Sequence, residues 1–432
     1  MMSILKRKKS MRILTYIYLT LALLFAVGLN LLKAQQLTTI ITNATLHIGN
    51  GQLIEKGVLV MEKGKIVDIG KSQTSFYKNA KVIDASGKHI YPGIICMNNF
   101  MGLNEIDAVR ATHDYDENGQ MNPNARSLIA YNTDSKIVPT ATFNGILFTQ
   151  CVPQGGVISG TSSLMKTTGW NWEDAVYKAD EGIHLNWPEM NVGQDTDGSR
   201  AKNLEKRVNE IKEFFAEAQQ YSKLQKPESF NARLDAMRGL FNRTENLYLH
   251  VQFAKSIISS INYFKQNYPD IKLVLVGATD AYLLIDLIKT YSIPVVLSNI
   301  HRLPSHSFED VDQPYKTPSL LYKEGIEVAI GQAGSWEARN VMYTAGTAAA
   351  YGLSKEEALQ CISLTPAKIM GVDKQIGSLE TGKDASFLIS EGDLLDMKSS
   401  KVEAAYLQGE AIDLKNDQVK FYEKYKKKYG LK

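Results

Sequence analysis

Cysteine is scarce in this chain and poorly placed for chemistry: Cys96, Cys151 and Cys361 are the only three in 432 residues. They lie far apart, with no metal-type spacing, so the expectation is three small buried hydrophobes rather than a disulfide framework or a thiolate metal knuckle. A basic stripe interleaved with aromatics is also missing from the body of the chain, which argues against a nucleic-acid partner. The formal charge of +3 owes much to the two ends, where Lys6, Arg7, Lys8, Lys9 and Arg12 open the chain and Lys424, Lys426, Lys427, Lys428 and Lys432 close it. Beyond residue 32 no apolar run is long enough to span a bilayer. The glycine-rich stretch from Pro153 to Ser163 lacks the lysine and spacing of a phosphate loop, and Ser159, Ser162 and Ser163 have no Gly-x-Ser-x-Gly context for a nucleophile.

What is present organises the chain. A basic stretch, an apolar run from Ile13 to Leu32 and the small residue Ala34 read as an export signal over 1–34, cleaved after Ala34, giving an exported, periplasmic protein; an uncleaved anchor is the other reading. Residues 37–89 alternate like short strands (38–46, 57–61, 65–69, 81–84) between glycine turns. Matching strand and turn signals recur over 374–413, so both ends should build one small composite, sandwich-like β-domain. Residues 90–373 alternate apolar runs (145–150, 247–251, 272–276, 294–298, 327–331) with amphipathic stretches, as parallel strands with crossover helices do. A polar and helical insertion is expected over 180–245, with a helix over 201–224. The basic tail, 414–432, carries Phe421, Tyr422, Tyr425 and Tyr429 at near-helical spacing and reads as a docked or frayed helix.

Several motifs resemble the amidohydrolase superfamily. Gly377-Ser378-Leu379-Glu380-Thr381-Gly382-Lys383-Asp384-Ala385 is similar to the family's Gly-Ser-Ile-Glu-x-Gly-Lys-Asp-Ala, and Thr365-Pro366-Ala367 sits in the family's segment before a hydrophobic pair and Gly371. Tyr91-Pro92-Gly93-Ile94-Ile95-Cys96-Met97-Asn98-Asn99-Phe100 resembles the first barrel strand, whose two family histidines fall at Asn98 and Phe100. The resemblance, of imidazolonepropionase-like type, covers about residues 38–412. It implies an α/β fold with a TIM-like (β/α)8 barrel and a reaction in which a divalent metal such as zinc activates water against a carbon-nitrogen bond of an amide or cyclic amide.

Carried over residue by residue, the family's ligand set is mostly missing. The fifth-strand histidine falls on His250, the sixth-strand histidine on Gly277, and the eighth-strand aspartate on Ala333, next to Gln332. The reading that follows is a degenerate hydrolase, without a metal cofactor, that binds a small amide ligand or pairs with a catalytic relative or a second copy of itself. Two others stay open: an active hydrolase rearranged around His250, and an exported small-molecule binding protein. Asn98, His250 and Gln332 are the binding candidates at the mouth. Glu105 and His113 join them because the donor-rich stretch Glu105 to Glu117 follows the first strand, where a barrel's active face lies. The same stretch also reads as an ordered, hydrogen-bonded loop. His301 and His306 read as loop surface residues.

Overall fold

The structure, a computed structural model, describes residues 38–71, 77, 79–190 and 198–431. The expected export signal over 1–34 and the Gly193 to Asp197 part of the predicted polar loop lie outside the described residues. The first strands are β1 (Thr39–His47), β2 (Leu53–Glu62), β3 (Lys65–Gly70), β4 (Lys81–Asp84) and β5 (His89–Pro92). β1 and β2 pair antiparallel, as do β2 and β3, whereas β4 and then β5 run parallel along the other edge of β1. The β2–β3 hairpin closes through Lys63 and Gly64, both at positive φ (50° and 78°), the geometry that matches a right-handed strand twist.

The barrel follows: β6 (Ile94–Asn99), β7 (Ile146–Cys151), β8 (Ile158–Lys166), β9 (Val176–Asn186), β10 (Asn246–Val251), β11 (Lys272–Gly277), β12 (Val295–Leu297) and β13 (Val328–Ile330). They neighbour one another in that order. β6 and β7 are buried along their whole length, as strands covered on both faces must be, and this explains their continuous apolar character. Closure between β13 and β6 is incomplete. At one level Gln332 N donates to Met97 O (3.1 Å); at another the carbonyls of Cys361 and Ile362 stand between the strands, accepting from Ile330 N and Ile95 N.

One strand departs from the expected (β/α)8 pattern: β8 runs antiparallel to β7 and to β9, while the other neighbours are parallel. The cause lies in the connections. Residues 152–157 and 167–175 are too short for the dozen or more residues that a parallel crossover needs, so the chain folds back directly. β9 occupies the first residues of the stretch read as an insertion over 180–245, so the elaboration begins only after Asn186. It contains the helix Ser199–Ser222, close to the predicted 201–224, which buries Val208, Ile211, Phe215, Ala218 and Tyr221 on one face.

The chain then returns to the first sheet through β14 (Phe387–Ser390), β15 (Val402–Leu407) and β16 (Glu410–Ala411), with β14 pairing antiparallel to β5. Tyr177 on β9 ties barrel to sheet, its hydroxyl donating to Asp384 Oδ2 (2.9 Å). Ser354 and Glu357 form a capping box. The terminal helix Asp417–Lys428 is capped by Asn416 but buries none of its own residues. All three cysteines are free and buried, their thiols pushed up to about 12 by desolvation.

Candidate active site at the barrel mouth

The C-terminal ends of the parallel strands define the mouth. Asn98, at the end of β6, is buried with its backbone turned to φ 52°; its N–H donates to Gln150 Oε1 (2.9 Å), and its side-chain Oδ1 is buried without a partner. Asn99 ties this strand end to the segment after β13: Nδ2 donates to Gln332 O (2.5 Å) and Gly334 O (2.9 Å), and Oδ1 accepts from Met101 N. Gln332 is half-buried beside the exposed Ala333. Phe100 packs on Tyr115, with ring centroids 5.0 Å apart, and so covers rather than ligates.

Behind Asn98 lies a polar network assembled from four strands. Gln150 Nε2 (β7) donates to Glu181 Oε1 (2.6 Å), Tyr248 OH (β10) donates to Glu181 Oε2 (2.7 Å), and the Ser162 hydroxyl (β8) also donates to Glu181. Ser162 Oγ meets His184 Nε2 at 2.8 Å, and His184 Nδ1 meets His250 Nε2 at 2.8 Å. Ser162 has a single proton. Giving it to Glu181 obliges His184 to donate from Nε2 and accept at Nδ1, which makes His250 Nε2 a donor. His184 also stacks on Tyr248, with centroids 4.6 Å apart.

Burial sets the charges. Desolvation lowers His250 to about 4 and His184 well below its ordinary value, the latter also through its neighbour His250, so both imidazoles are neutral at pH 7. Burial raises Glu181 although three donors and Lys178 oppose the shift. Glu181 and Ser162 are sealed from solvent at 1% and 0% exposure, so the serine sits between an acid and a histidine with no path to a substrate carbonyl.

The position expected to lack a histidine is not vacant. A Cβ on Gly277 would lie 2.9 Å from Gln252 Cδ and closer still to its amide nitrogen, and the backbone there is at φ 86°. Gln252, whose Oε1 accepts from Thr279 Oγ1 (2.9 Å), has taken that space. A cleft of about 150 Å³ adjoins it, lined by Gln252, Thr279, Ser298, Asn299 and Arg302 among others.

The loop candidates lie apart from this network. Glu105 accepts from Asn132 Nδ2 (3.0 Å) and Lys136 N (3.3 Å). His113 Nε2 faces Asp107 O (3.0 Å), and its Nδ1 faces Tyr115 OH (3.1 Å). His301 bonds Thr347, and His306 pairs with Asp280 at 2.8 Å. Sequence reasoning missed Gln150, Glu181, His184, Tyr248 and Gln252. The available signal was Gly182-Ile183-His184-Leu185, an apolar run holding a histidine, which the 180–245 boundary concealed.

The donor set does not fit the divalent ion of the resembling family. The corresponding positions offer an amide, a phenyl ring, a glycine, a methyl group and one imidazole whose Nε2 is already bonded to His184. Among the described residues no group of three or more His, Cys, Asp or Glu side chains is arranged to hold a metal ion.

An eight-stranded, TIM-like barrel joined to a composite β-sheet domain is therefore the class of protein that the fold defines. Residues 316–419 match the model of the Amidohydrolase family. Over 63 residues, 15% of this chain, the sequence is 40% identical to the N-acetylglucosamine-6-phosphate deacetylase of Rattus norvegicus and, over the same length, 38% identical to that of Homo sapiens. The match spans about 14% of the length of these relatives. An amidohydrolase from Thermotoga maritima MSB8 superposes with a TM-score of 0.76 at 21% identity, over 87% of this chain and 99% of that one. A Xaa-Pro dipeptidase with bound methionine in its active site gives 0.54 at 15% identity, over 87% and 100%. Residues 316–419 thus carry the sequence signature of the Amidohydrolase family, and the structural likeness shows that the chain shares its barrel fold with proteins of that kind.

Proposed function

We propose that this is an exported amidohydrolase-superfamily protein whose family reaction, hydrolysis of a carbon-nitrogen bond outside peptides, is impaired, and that its barrel now binds a small amide or cyclic amide or pairs with an active relative. The carrying observation is at the mouth: the single imidazole at a family ligand position is neutral and turned inward to His184, and Gln252 fills the space beside Gly277. A lone bonded imidazole supplies only a fraction of the binding free energy of a full ligand set. Export rests on the basic and apolar N-terminal segment.

Elemental analysis of purified protein checks this, with zinc, nickel and manganese expected far below one ion per chain. A stoichiometric, tightly held ion would overturn the proposal. A thermal-shift screen against amides, hydantoins, imidazolones and peptides separates ligand binding from partnership, since a ligand at a hundredfold excess over its Kd stabilises by about 2.7 kcal/mol.

A second reading, an active hydrolase rearranged around His250, draws on the continuous hydrogen-bonded chain from His250 to Glu181. Carbon-nitrogen bond cleavage abolished by chelator and by His250→Ala would favour it. Indifference to both removes it.

A further inference from the structure

The opposite end of the barrel carries a cleft that none of the chemistry above uses. It opens where β9 to β13 begin, has a volume of about 430 Å³, and draws Lys178, Arg243, Lys265, Lys272 and Lys368 from separate elements toward one space. That volume is in the range of small-molecule sites. Its acidic lining is limited to Asp270 and Glu327, so cations outnumber anions by five to two.

Little of this charge is neutralised locally. Arg243 meets Asp270 only at 3.8 Å, with both side chains mostly in solvent, where such a contact contributes little. Lys178 and Lys265 donate to backbone carbonyls, of Met370 at 2.5 Å and Ile271 at 3.4 Å, rather than to carboxylates. Lys272 and Lys368 are exposed and have no ion pair among the described residues. Burial, with Arg243 adding to it, lowers Lys265 although Asp270 pulls the other way. The walls between these cations include Ile271, Leu273, Ile293 and Ile369. Low-dielectric walls around one sign of charge focus the field and favour a counter-ion over open water.

We propose that this basal cleft is a binding site for a small multivalent anion of the phosphate type, held by Lys178, Arg243, Lys265, Lys272 and Lys368. Two or more oxyanion charges satisfy cations that a single chloride cannot bridge, and lysine ammoniums bind phosphate as point charges. The site lies at the other end of the barrel from the mouth and does not require the mouth to retain activity.

Inorganic pyrophosphate is the probe, with isothermal titration and thermal melting of the full chain as readouts. The expected result is one saturable site whose affinity falls at least about tenfold in the Lys272→Gln/Lys368→Gln double variant and weakens steeply with added salt. His250→Ala should leave it unchanged. Because both lysines are exposed, the double variant should fold normally, and its circular dichroism and unmodified melting point check this. No heat and no melting shift up to about 10 mM pyrophosphate would overturn the proposal. So would an affinity unaltered in the folded double variant, since the anion would then be bound elsewhere.

Discussion

The two ends of the barrel differ in how they hold polar and charged groups. At the mouth, polar groups are mostly consumed internally, Asn98 Oδ1 excepted: Asn99 ties strand ends together, two neutral imidazoles bond to each other and to a serine, and Glu181 accepts from three donors. At the base, five cations converge with two acids among them. An enzyme of this architecture concentrates unsatisfied, reactive groups at the C-terminal ends of its strands. Here the unsatisfied charge is at the other end, and the mouth resembles a hydrogen-bonded core with a hydrophobic cover.

The sharpest way to break that contrast is to attack the mouth network. Glu181→Ala strands three buried donors and is expected to cost about 3–5 kcal/mol in urea unfolding, with Glu181→Gln costing less. A loss below about 1 kcal/mol would mean that the network is incidental. Next in size, Gly277→His should destabilise by about 2–3 kcal/mol, because it demands a strained positive φ and displaces Gln252. Shortening Gln252 to alanine in the same chain should recover part of that loss, and a neutral Gly277→His would show that the space is not filled.

Acid should also distinguish the ends. His250 is lowered to about 4 from 6.5, so the unfolded chain binds the extra proton between those values; stability is intact above pH 6.5, falls as pH drops toward 4, and levels off below. The slope is up to about 1.4 kcal/mol per pH unit for one such imidazole. His250→Asn should flatten that part of the melting curve, and an equally steep fall in the variant would contradict the assignment.

A smaller effect is expected at Glu245, whose Oε2 is buried without a partner and whose carboxyl is raised to about 8 by burial, then by Asp180 and Glu181. A raised carboxyl weakens the fold as pH climbs from its unfolded value of 4.5 through 8. Glu245→Gln should therefore stabilise by about 1–2 kcal/mol above pH 8 and by nothing near pH 4. Smallest of all, Lys272→Gln at the base should change stability by less than about 0.5 kcal/mol, because its charge supports no fold contact.

Much of the scaffold is legible in the sequence. The strands expected over 57–61, 65–69 and 81–84 fall within or coincide with β2, β3 and β4, because turns at Gly49 to Gly51 and Lys63-Gly64 and the alternation between them are local signals. The five barrel strands singled out agree within a residue or two with β7, β10, β11, β12 and β13. β8 and β9 leave no clear strand signal, since their apolar residues are mixed with Ser162, Ser163, Glu181 and His184, whose polarity reads as loop until their partners are in place. Glu105 and His113 follow the first strand, yet Glu105 accepts from Asn132 and Lys136, which are distant in sequence, and His113 faces nearby Asp107 and Tyr115.

The amino-acid order alone pointed to the barrel with its composite sheet and to the replacement of family ligand positions at Asn98, Phe100, Gly277 and Ala333, because motif residues and their replacements are written position by position. Tertiary structure decided how those absences are filled and where charge collects. Glu181, Ser162, His184 and His250 meet only through the register of three neighbouring strands, one of them reversed, and the five basal cations meet only where separate strands and loops begin together. Proximity across strands depends on through-space geometry, which no local pattern in the chain encodes.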